Sequence, residues 1–177
     1  MSNLATQPRS LGAPRLHFEE VINADPITVR ETILQIMERL QHEFPSQSEG
    51  VISTEIVLAE VLNNISEHSY QASNLGDVTI SVLCTDDMIS IETRDFGVPM
   101  PGLSPPDSEL EEIPMDVEDL PEGGFGWFFI RSLSSHLEYR RTGTQNIFCV
   151  QIPTASAEQS DLARANLPIA DAHFLPH

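Results

Sequence analysis

The apolar residues at the start of this chain first alternate with polar residues and then change to a helical spacing. The alternation over residues 15–23 predicts a strand, because successive side chains of a strand point to opposite faces. Asp25 followed by Pro26 is a typical helix start, since the aspartate caps free amides and proline fits the first helical position. The apolar stripe that follows predicts a core-facing helix over residues 26–44.

A second amphipathic pattern covers residues 51–70 and predicts another helix. Its polar stripe carries Glu60, Asn64 and His68, which at four-residue spacing fall within about 80° of one another on the helix surface. On an isolated helix, such a stripe is usually only solvated. The alternative is a row of ligand-binding side chains, and the motifs further along the chain favour that second interpretation.

The remaining apolar pattern predicts two hairpins separated by a long loop. Four strands are expected, over residues 78–84, 88–94, 136–141 and 145–152. Residues 97–122 are acidic and rich in proline, which is uncommon inside a compact domain unless the segment is a lid or a binding loop. A short helix is expected over residues 124–134, after a glycine cluster. Such glycines let backbone amides approach a phosphate, and a plain tight turn explains them equally well.

Composition and charge exclude several classes of function. The chain of 177 residues has 27 acidic and nine basic residues, a formal net charge of −18, and all nine bases are arginine. A field of that sign repels nucleic acid and anionic membranes and favours basic protein partners. The lack of lysine excludes a P-loop mechanism. No run has the length of a membrane span or the apolar centre of a signal peptide, so a cytoplasmic location is expected.

The expected organisation is one domain with two tails. Residues 1–14 are expected to be a flexible leader, residues 15–153 the folded domain, and residues 154–177 an irregular tail. Cys84 and Cys149 both lie in apolar, strand-like runs, so both are expected to be reduced thiols in the core.

Four short motifs follow one another in an order that is more specific than any one of them. They are E-x-x-x-N-x-x-x-H-x-Y from Glu60 to Tyr70, R-D-F-G from Arg94 to Gly97, E-G-G-x-G from Glu122 to Gly126, and G-T at Gly143 and Thr144. In this combination the chain resembles the histidine-kinase-like ATPase (GHKL) superfamily, which includes gyrase, heat-shock-90, histidine-kinase and mismatch-repair ATPases. It is most similar to the stand-alone anti-sigma-factor serine kinases of the RsbW type, over about residues 15–152.

The resemblance implies a fold and a ligand. The fold class is α/β, a two-layer α/β sandwich with a mixed, mainly antiparallel sheet and with helices on one face. The implied cofactors are ATP and Mg²⁺. The nucleotide would lie between the helical layer and a lid at about residues 97–123.

The same resemblance assigns roles along the second predicted helix. Asn64 would bind Mg²⁺ through its side-chain oxygen, an atom type that this ion prefers. Glu60, one turn earlier, would be the catalytic general base beside the γ-phosphate. His68 matches a position that contacts phosphate or supports the helix.

The other binding residues that the resemblance implies lie in the glycine motifs and the strand that precedes the first of them. Asp95 would accept the exocyclic amino group of adenine, and Gly97 would let the backbone pass close to the base. Gly124 and Gly126 would do the same for the phosphates. Thr144 would lie on the adenine side.

Two features depart from the family pattern. Pro99 stands where the wider superfamily has the second glycine of D-x-G-x-G. The lid carries eight acidic residues and neither lysine nor arginine between Gly97 and Gly123, so bound phosphates would need a cation from elsewhere. Arg131 is a candidate for that cation, and a solvated surface arginine is the alternative.

The function that the resemblance implies is that of an ATP-dependent serine/threonine protein kinase and anti-sigma factor. It would phosphorylate an anti-anti-sigma partner of the STAS type and alternately sequester a sigma factor. One alternative is a non-catalytic switch that binds nucleotide or partner without turnover, and another is the detached catalytic domain of a histidine kinase. Homodimerisation is common in this branch, whereas no nucleic acid or membrane partner is expected.

Overall fold

The strands of this chain form one sheet, and helices pack on one of its faces. The computed structural model describes residues 13–44, 48–70, 75–106 and 125–155. The strands in these ranges are β1 (Leu16–Asn23), β2 (Asp77–Cys84), β3 (Met88–Asp95), β4 (His136–Thr142) and β5 (Gln145–Pro153). They lie in the order β1-β2-β3-β5-β4.

The α/β fold class predicted from the sequence is confirmed. Where a mixed, mainly antiparallel sheet was expected, every pairing among the described strands is antiparallel. The reason is that two hairpins, β2-β3 and β4-β5, meet along β3 and β5, while β1 adds to the outer edge of β2.

The helices in the described residues are α1 (Pro26–Glu43), α2 (Glu49–Asn64) and α3 (Phe125–Leu133). The Asp25 side chain accepts hydrogen bonds from the amides of Ile27 at 3.1 Å and Thr28 at 3.0 Å. This cap satisfies amides that have no partner inside the helix. The helix start predicted from Asp25 and Pro26 is therefore confirmed.

The end of the second helix differs from the prediction. Instead of one continuous α-helix, α2 ends at Asn64 and continues as a π-helical turn, Ile65–Ser69. Ser66 Oγ donates to the carbonyl of Ala24 at 2.7 Å, which ties this turn to the segment before α1. Because a π-helical turn holds more residues than an α-helical one, His68 is displaced from the stripe that four-residue spacing predicts.

The hydrophobic core lies between the helices and one face of the sheet. Alternate residues of β2 and β3 are buried against the helical layer. The largest fully buried helix side chains are Ile36, Leu40, Leu58, Leu62 and Ile130. The opposite face carries polar side chains, among them Glu92 and Arg94, which form an ion pair at 2.6 Å.

The two cysteines lie on opposite faces of the sheet. Cys84 is buried in the core, as predicted, and burial raises its pKa to about 11. Cys149 is only half-buried and donates to Glu92 Oε2 at 3.2 Å on the outer face. Burial and this carboxylate raise the pKa of Cys149 to about 12. The core prediction for Cys149 was wrong, because strand alternation turns Phe148 and Val150 inward and the cysteine between them outward.

Several sequence predictions fall outside the described residues. These are most of the leader over residues 1–14, most of the tail over residues 154–177, and the lid from residue 107 onward. None of the helices that the structure describes is long and apolar enough to cross a membrane.

Replacement of Gly50 tests this packing, because the direction of the change in melting temperature depends on it. A Cβ atom at this position would lie 2.5 Å from the carbonyl oxygen of Pro153 and 2.5 Å from Thr154 Cα. In an open helix, Gly→Ala stabilises by about 1 kcal/mol. Here we expect Gly50→Ala to lower the melting temperature in thermal unfolding by circular dichroism, while Glu49→Ala, at the exposed neighbouring position, changes it little. A higher melting temperature for Gly50→Ala would contradict the packing of α2 on the end of β5.

Candidate functional site

A cavity of about 380 Å³ opens beside the C-terminal end of α2 and the end of β3. Its walls are mostly apolar and include Val61, Ile65, Met100, Trp127 and Phe148. A few polar side chains also line it: Asn64, His68, Asp95, Tyr139 and Asn146. Apolar walls with a few fixed polar groups are typical of sites for planar organic ligands.

Asp95 is the buried acid of this cavity. It is the last residue of β3 and is only 4% exposed. Its Oδ1 atom accepts hydrogen bonds from Asn146 Nδ2 at 2.8 Å and from the Gly97 amide at 2.9 Å. Burial raises the pKa of Asp95, while these two hydrogen bonds and the charge of Arg141 oppose the rise. The site therefore holds a carboxylate that is oriented through one of its two oxygens.

Asn146 is a site residue that the sequence reasoning missed. It lies directly opposite Asp95 in the pairing of β3 with β5 and is 2% exposed. Tyr139 OH donates to its Oδ1 at 2.8 Å, and Arg141 Nη1 donates to the same oxygen. The sequence did contain a signal for this residue. Asn146 is a polar residue at one of the inward-facing positions of β5, and the other inward-facing positions carry apolar residues such as Phe148.

Gly97 is needed for a close crossing of two backbone segments. A Cβ at this position would overlap the carbonyl of Ser69, at the end of the π-helical turn. The next amide, Val98 N, donates to that same carbonyl at 2.7 Å. The resemblance assigned Gly97 to the approach of the base, and the contact in the structure is with the chain's own backbone. That contact fixes the end of β3 against the helical layer.

Glu60 and Gly126 are brought together where α2 meets α3. The carboxylate of Glu60 lies over the first turn of α3, and a Cβ on Gly126 would overlap its Oε2 atom. Glu60 does not line the cavity that holds Asp95. It lies one helical turn before Asn64, which does line it. Asn64 therefore lies at the cavity, and Glu60, one turn earlier on the same helix, lies at the start of α3.

The side chain of Asn64 has a buried polar atom that meets no hydrogen-bonding group in the described part of the chain. Among the described residues, its Nδ2 is shielded from solvent and makes no hydrogen bond. Such a donor in a native site is often satisfied by a bound water or by an acceptor oxygen of a ligand. The described part of the chain has no cluster of three or more His, Cys, Asp or Glu side chains that would hold a metal. A single carboxamide fits Mg²⁺ nonetheless, because this ion usually keeps waters and takes the remaining ligands from phosphate oxygens.

The remaining predicted site residues are found in different settings. His68 lines the cavity from the π-helical turn, with an exposed side chain. Thr144 lies in the exposed turn between β4 and β5 and is not part of the cavity wall. Gly124 lies outside the described residues. The guanidinium of Arg131 donates to the carbonyls of Pro105 at 3.2 Å and Pro106 at 2.8 Å, so it contacts the described part of the predicted lid.

Comparison with known proteins identifies the family. Residues 22–152 match the sequence pattern of the family described as the histidine kinase-like ATPase domain. The chain belongs to this family. The match covers α1, α2, α3, the π-helical turn, β2, β3 and β4, the last two residues of β1 and all of β5 except its last residue. No curated protein matches the sequence.

Three solved structures are similar to this chain over part of their own length. The RsbU and RsbW domains of Rv1364c from Mycobacterium tuberculosis align with a TM-score of 0.51 and 12% identity, covering 79% of this chain and 33% of that one. This chain thus spans about a third of the length of that protein. The histidine kinase domain of the Erythrobacter litoralis blue-light activated kinase EL346 aligns over 80% of this chain and 67% of its own, with 18% identity and a TM-score of 0.39. The Acinetobacter baumannii histidine kinase AdeS aligns over 78% of this chain and 68% of its own, with 18% identity and a TM-score of 0.39.

The buried acid of this histidine kinase-like ATPase domain should lower its stability at neutral pH. Because the pKa of Asp95 is raised in the folded state, the ionised carboxylate opposes folding above the folded-state pKa. That opposition disappears as the pH falls through the folded-state value to the ordinary carboxyl range near about 4. We therefore expect Asp95→Asn to raise the melting temperature at pH 7.5, and to raise it less at pH 4.5.

The matched control is Asp77→Asn, at an exposed position where β2 begins. This change should leave the melting temperature almost unchanged at both pH values. A large fall in melting temperature for Asp95→Asn at pH 7.5 would mean that the ionised carboxylate stabilises the fold, contrary to its burial.

Proposed function

We propose that this protein is an ATP-dependent serine/threonine kinase that phosphorylates an anti-anti-sigma partner of the STAS type and, in the alternate state, sequesters a sigma factor. Membership of the histidine kinase-like ATPase family supports ATP binding. The observation that carries the proposal is the buried Asp95 carboxylate at the end of an apolar cavity that Asn64 also lines. Adenine offers an amino group to such an acceptor and a planar surface to such walls.

Asn64 is the residue proposed to hold Mg²⁺ through its side-chain oxygen. The orientation of a carboxamide can be reversed by rotation, so the atom now buried without a partner marks a position where either end can face a ligand. When bound, the ion would neutralise part of the phosphate charge.

The proposed role of Glu60 is general base catalysis. The hydroxyl oxygen of the partner's serine attacks the γ-phosphorus of ATP, and a new P–O bond forms as the bond to the bridging oxygen of ADP breaks. Glu60 accepts the proton that the hydroxyl loses. The position of Glu60 over Gly126 supports this role, because the glycine leaves the space that its carboxylate occupies. Gly126 and the start of α3 thereby set where the proton is taken up.

The charge of the chain supports a protein partner with a basic surface. With a net charge of −18, long-range attraction favours a positively charged sigma factor over nucleic acid. The RsbU and RsbW domains of the Mycobacterium tuberculosis protein share the fold, which agrees with the motif resemblance to RsbW-type kinases.

A second candidate function is a non-catalytic switch. Pro99, at the position of the second glycine, favours it, as does the acidic lid sequence. In that case the protein would bind nucleotide or partner and transfer no phosphate.

Phosphate transfer to a candidate STAS protein separates these functions. The purified protein would be incubated with ATP labelled at the γ-phosphate, Mg²⁺ and the STAS protein, and the labelled product would then be treated with acid. Acid-stable label on the STAS protein supports serine or threonine transfer. Acid-labile label supports a histidine-kinase route, and nucleotide binding without transfer supports the switch.

Replacement of the proposed base should separate catalysis from binding. We expect Glu60→Gln to lower the rate of phosphate transfer about 100-fold or more, the usual scale of general base catalysis, with ATP affinity nearly unchanged. Glu67→Gln is the matched control, because Glu67 is an exposed glutamate on the adjoining π-helical turn. Transfer by Glu60→Gln at the wild-type rate would remove Glu60 from the mechanism.

The proposed metal ligand can be tested by adding a charge without changing the side-chain shape. We expect Asn64→Asp to reduce Mg²⁺-dependent phosphate transfer by at least about 10-fold, because a new anion lies beside the triphosphate. Asn63→Asp adds the same charge at the exposed neighbouring position of α2 and should have little effect. Equal rates for Asn64→Asp and the wild type would show that the assignment of Asn64 is wrong.

A further inference from the structure

Asn146 uses both ends of its side-chain amide in hydrogen bonds to the protein. Its Nδ2 donates to Asp95 Oδ1 at 2.8 Å, to the Val98 carbonyl at 3.2 Å and to the Gly97 carbonyl at 3.4 Å. Its Oδ1 accepts from Tyr139 OH at 2.8 Å and from Arg141 Nη1. Both ends of the amide are therefore occupied by protein groups.

The orientation of this amide is fixed by the chemistry of its neighbours. A guanidinium has donors and no acceptor, so the end of Asn146 that faces Arg141 must be the oxygen. The opposite end faces the carboxylate of Asp95, which accepts hydrogen bonds, so that end must be the NH₂ group. With both ends used in this way, Asn146 has little capacity left to read a ligand directly.

We infer that Asn146 is a positioning residue, which holds the Asp95 carboxylate and the segment from Gly97 to Met100 in the one arrangement that leaves Asp95 Oδ2 to face the base. The inference rests on the proposed function, because it concerns the site for the adenine ring. It deepens that proposal by naming a residue that acts on the ligand only through Asp95.

The same contacts explain how the site accommodates Pro99. This proline stands at the second glycine of the motif, within a segment that the β4-β5 hairpin holds from one side. The Met100 amide donates to Tyr139 OH at 3.0 Å, and Arg141 Nη1 donates to the Gly97 carbonyl at 3.3 Å. Together with the Asn146 contacts, these bonds fix the backbone on both sides of Pro99. The segment keeps one conformation by side-chain contacts rather than by glycine geometry.

The charged and titratable groups that face Asp95 set the pH dependence of the test. Arg141 approaches from β4, Tyr139 from the same strand, and Tyr70 from the end of the π-helical turn; His68 lies on the cavity wall. The pKa of Tyr70 is itself raised, chiefly by burial. The hydrogen bond from Asn146 lowers the pKa of Asp95 against the effect of burial. Removal of that donor should therefore let Asp95 take up a proton at a higher pH.

Two substitutions of Asn146 should give opposite pH dependences. In Asn146→Ala the donor is lost, and we expect adenine-nucleotide affinity at pH 7.5 to fall by about 10-fold, with a further fall as the pH decreases. In Asn146→Asp the new carboxyl group can donate to Asp95 only while the pair holds a proton. Affinity for the nucleotide should then be highest at acidic pH and fall as the pH rises. Thr142→Ala, at the exposed end of β4 in the same hairpin, is the matched control and should behave as the wild type.

The experiment measures nucleotide affinity by calorimetry from pH 5 to pH 8, and the titration of the Asp95 carboxyl by ¹³C NMR in the protein without nucleotide. Thermal unfolding checks that each variant folds. If Asn146→Ala does not fold, Tyr139→Phe provides the second variant, because it removes one donor that holds the amide, and a smaller loss of affinity is expected.

The outcomes separate this inference from the proposed function. A higher titration point for Asp95 in Asn146→Ala, together with opposite pH slopes for the two Asn146 variants, supports the positioning role. An equal loss of affinity in both variants with no change in slope would overturn it, and so would an unchanged Asp95 titration. If the wild type binds no adenine nucleotide, the proposed function fails, while the NMR titration still decides whether Asn146 controls Asp95.

Discussion

The arrangement of the site depends on a carboxylate that is buried at the end of a strand. An ionised group taken out of water raises the free energy of the fold unless hydrogen bonds and nearby charges offset the loss. Asp95 receives two hydrogen bonds on one oxygen, from Asn146 and from the Gly97 amide, and the charge of Arg141 lies nearby. Each donor comes from a different feature: the pairing of β3 with β5, and the tight turn after β3. Both the register of β3 with β5 and the conformation of that turn are therefore needed to satisfy this one side chain.

Most of the fold could be predicted from local patterns, and the parts that could not depend on contacts across the chain. Strand alternation and the Asp25 cap are written in neighbouring residues, so the elements they predict agree with the structure. The π-helical turn after Asn64 has no such local signal, because it is tied down by Ser66 bonding to Ala24 on a distant segment. At Cys149 a local pattern was present but misleading. The apolar run predicts a core residue, whereas the alternation of side chains along β5 turns this one to the outer face.

Some residues of the candidate site could likewise be predicted from local motifs, and others depend on contacts between distant parts of the chain. Glu60, Asn64 and Asp95 were found through motifs with fixed spacing, and the structure brings the last two to one cavity with Glu60 a turn away. Asn146 was not found, because its importance comes from standing opposite Asp95 in the sheet, and register between β3 and β5 is not written in either strand alone. Thr144 was chosen from its motif and lies in the exposed turn, two residues before the position that faces inward.

Charge adds a constraint that the apolar cavity does not remove. An anionic ligand approaching a chain of net charge −18 meets repulsion that only local positive charge can offset. Ion pairs with carboxylates engage Arg15, Arg39 and Arg94, none of which lines the cavity. Arg141 is close to Asp95 but is held there by Asn146 and Gly97. In the proposed site, Mg²⁺ bound with the triphosphate would supply part of that charge, and the carboxamide of Asn64, on the cavity wall and with no partner for its buried nitrogen among the described residues, is the side chain proposed to bind the ion.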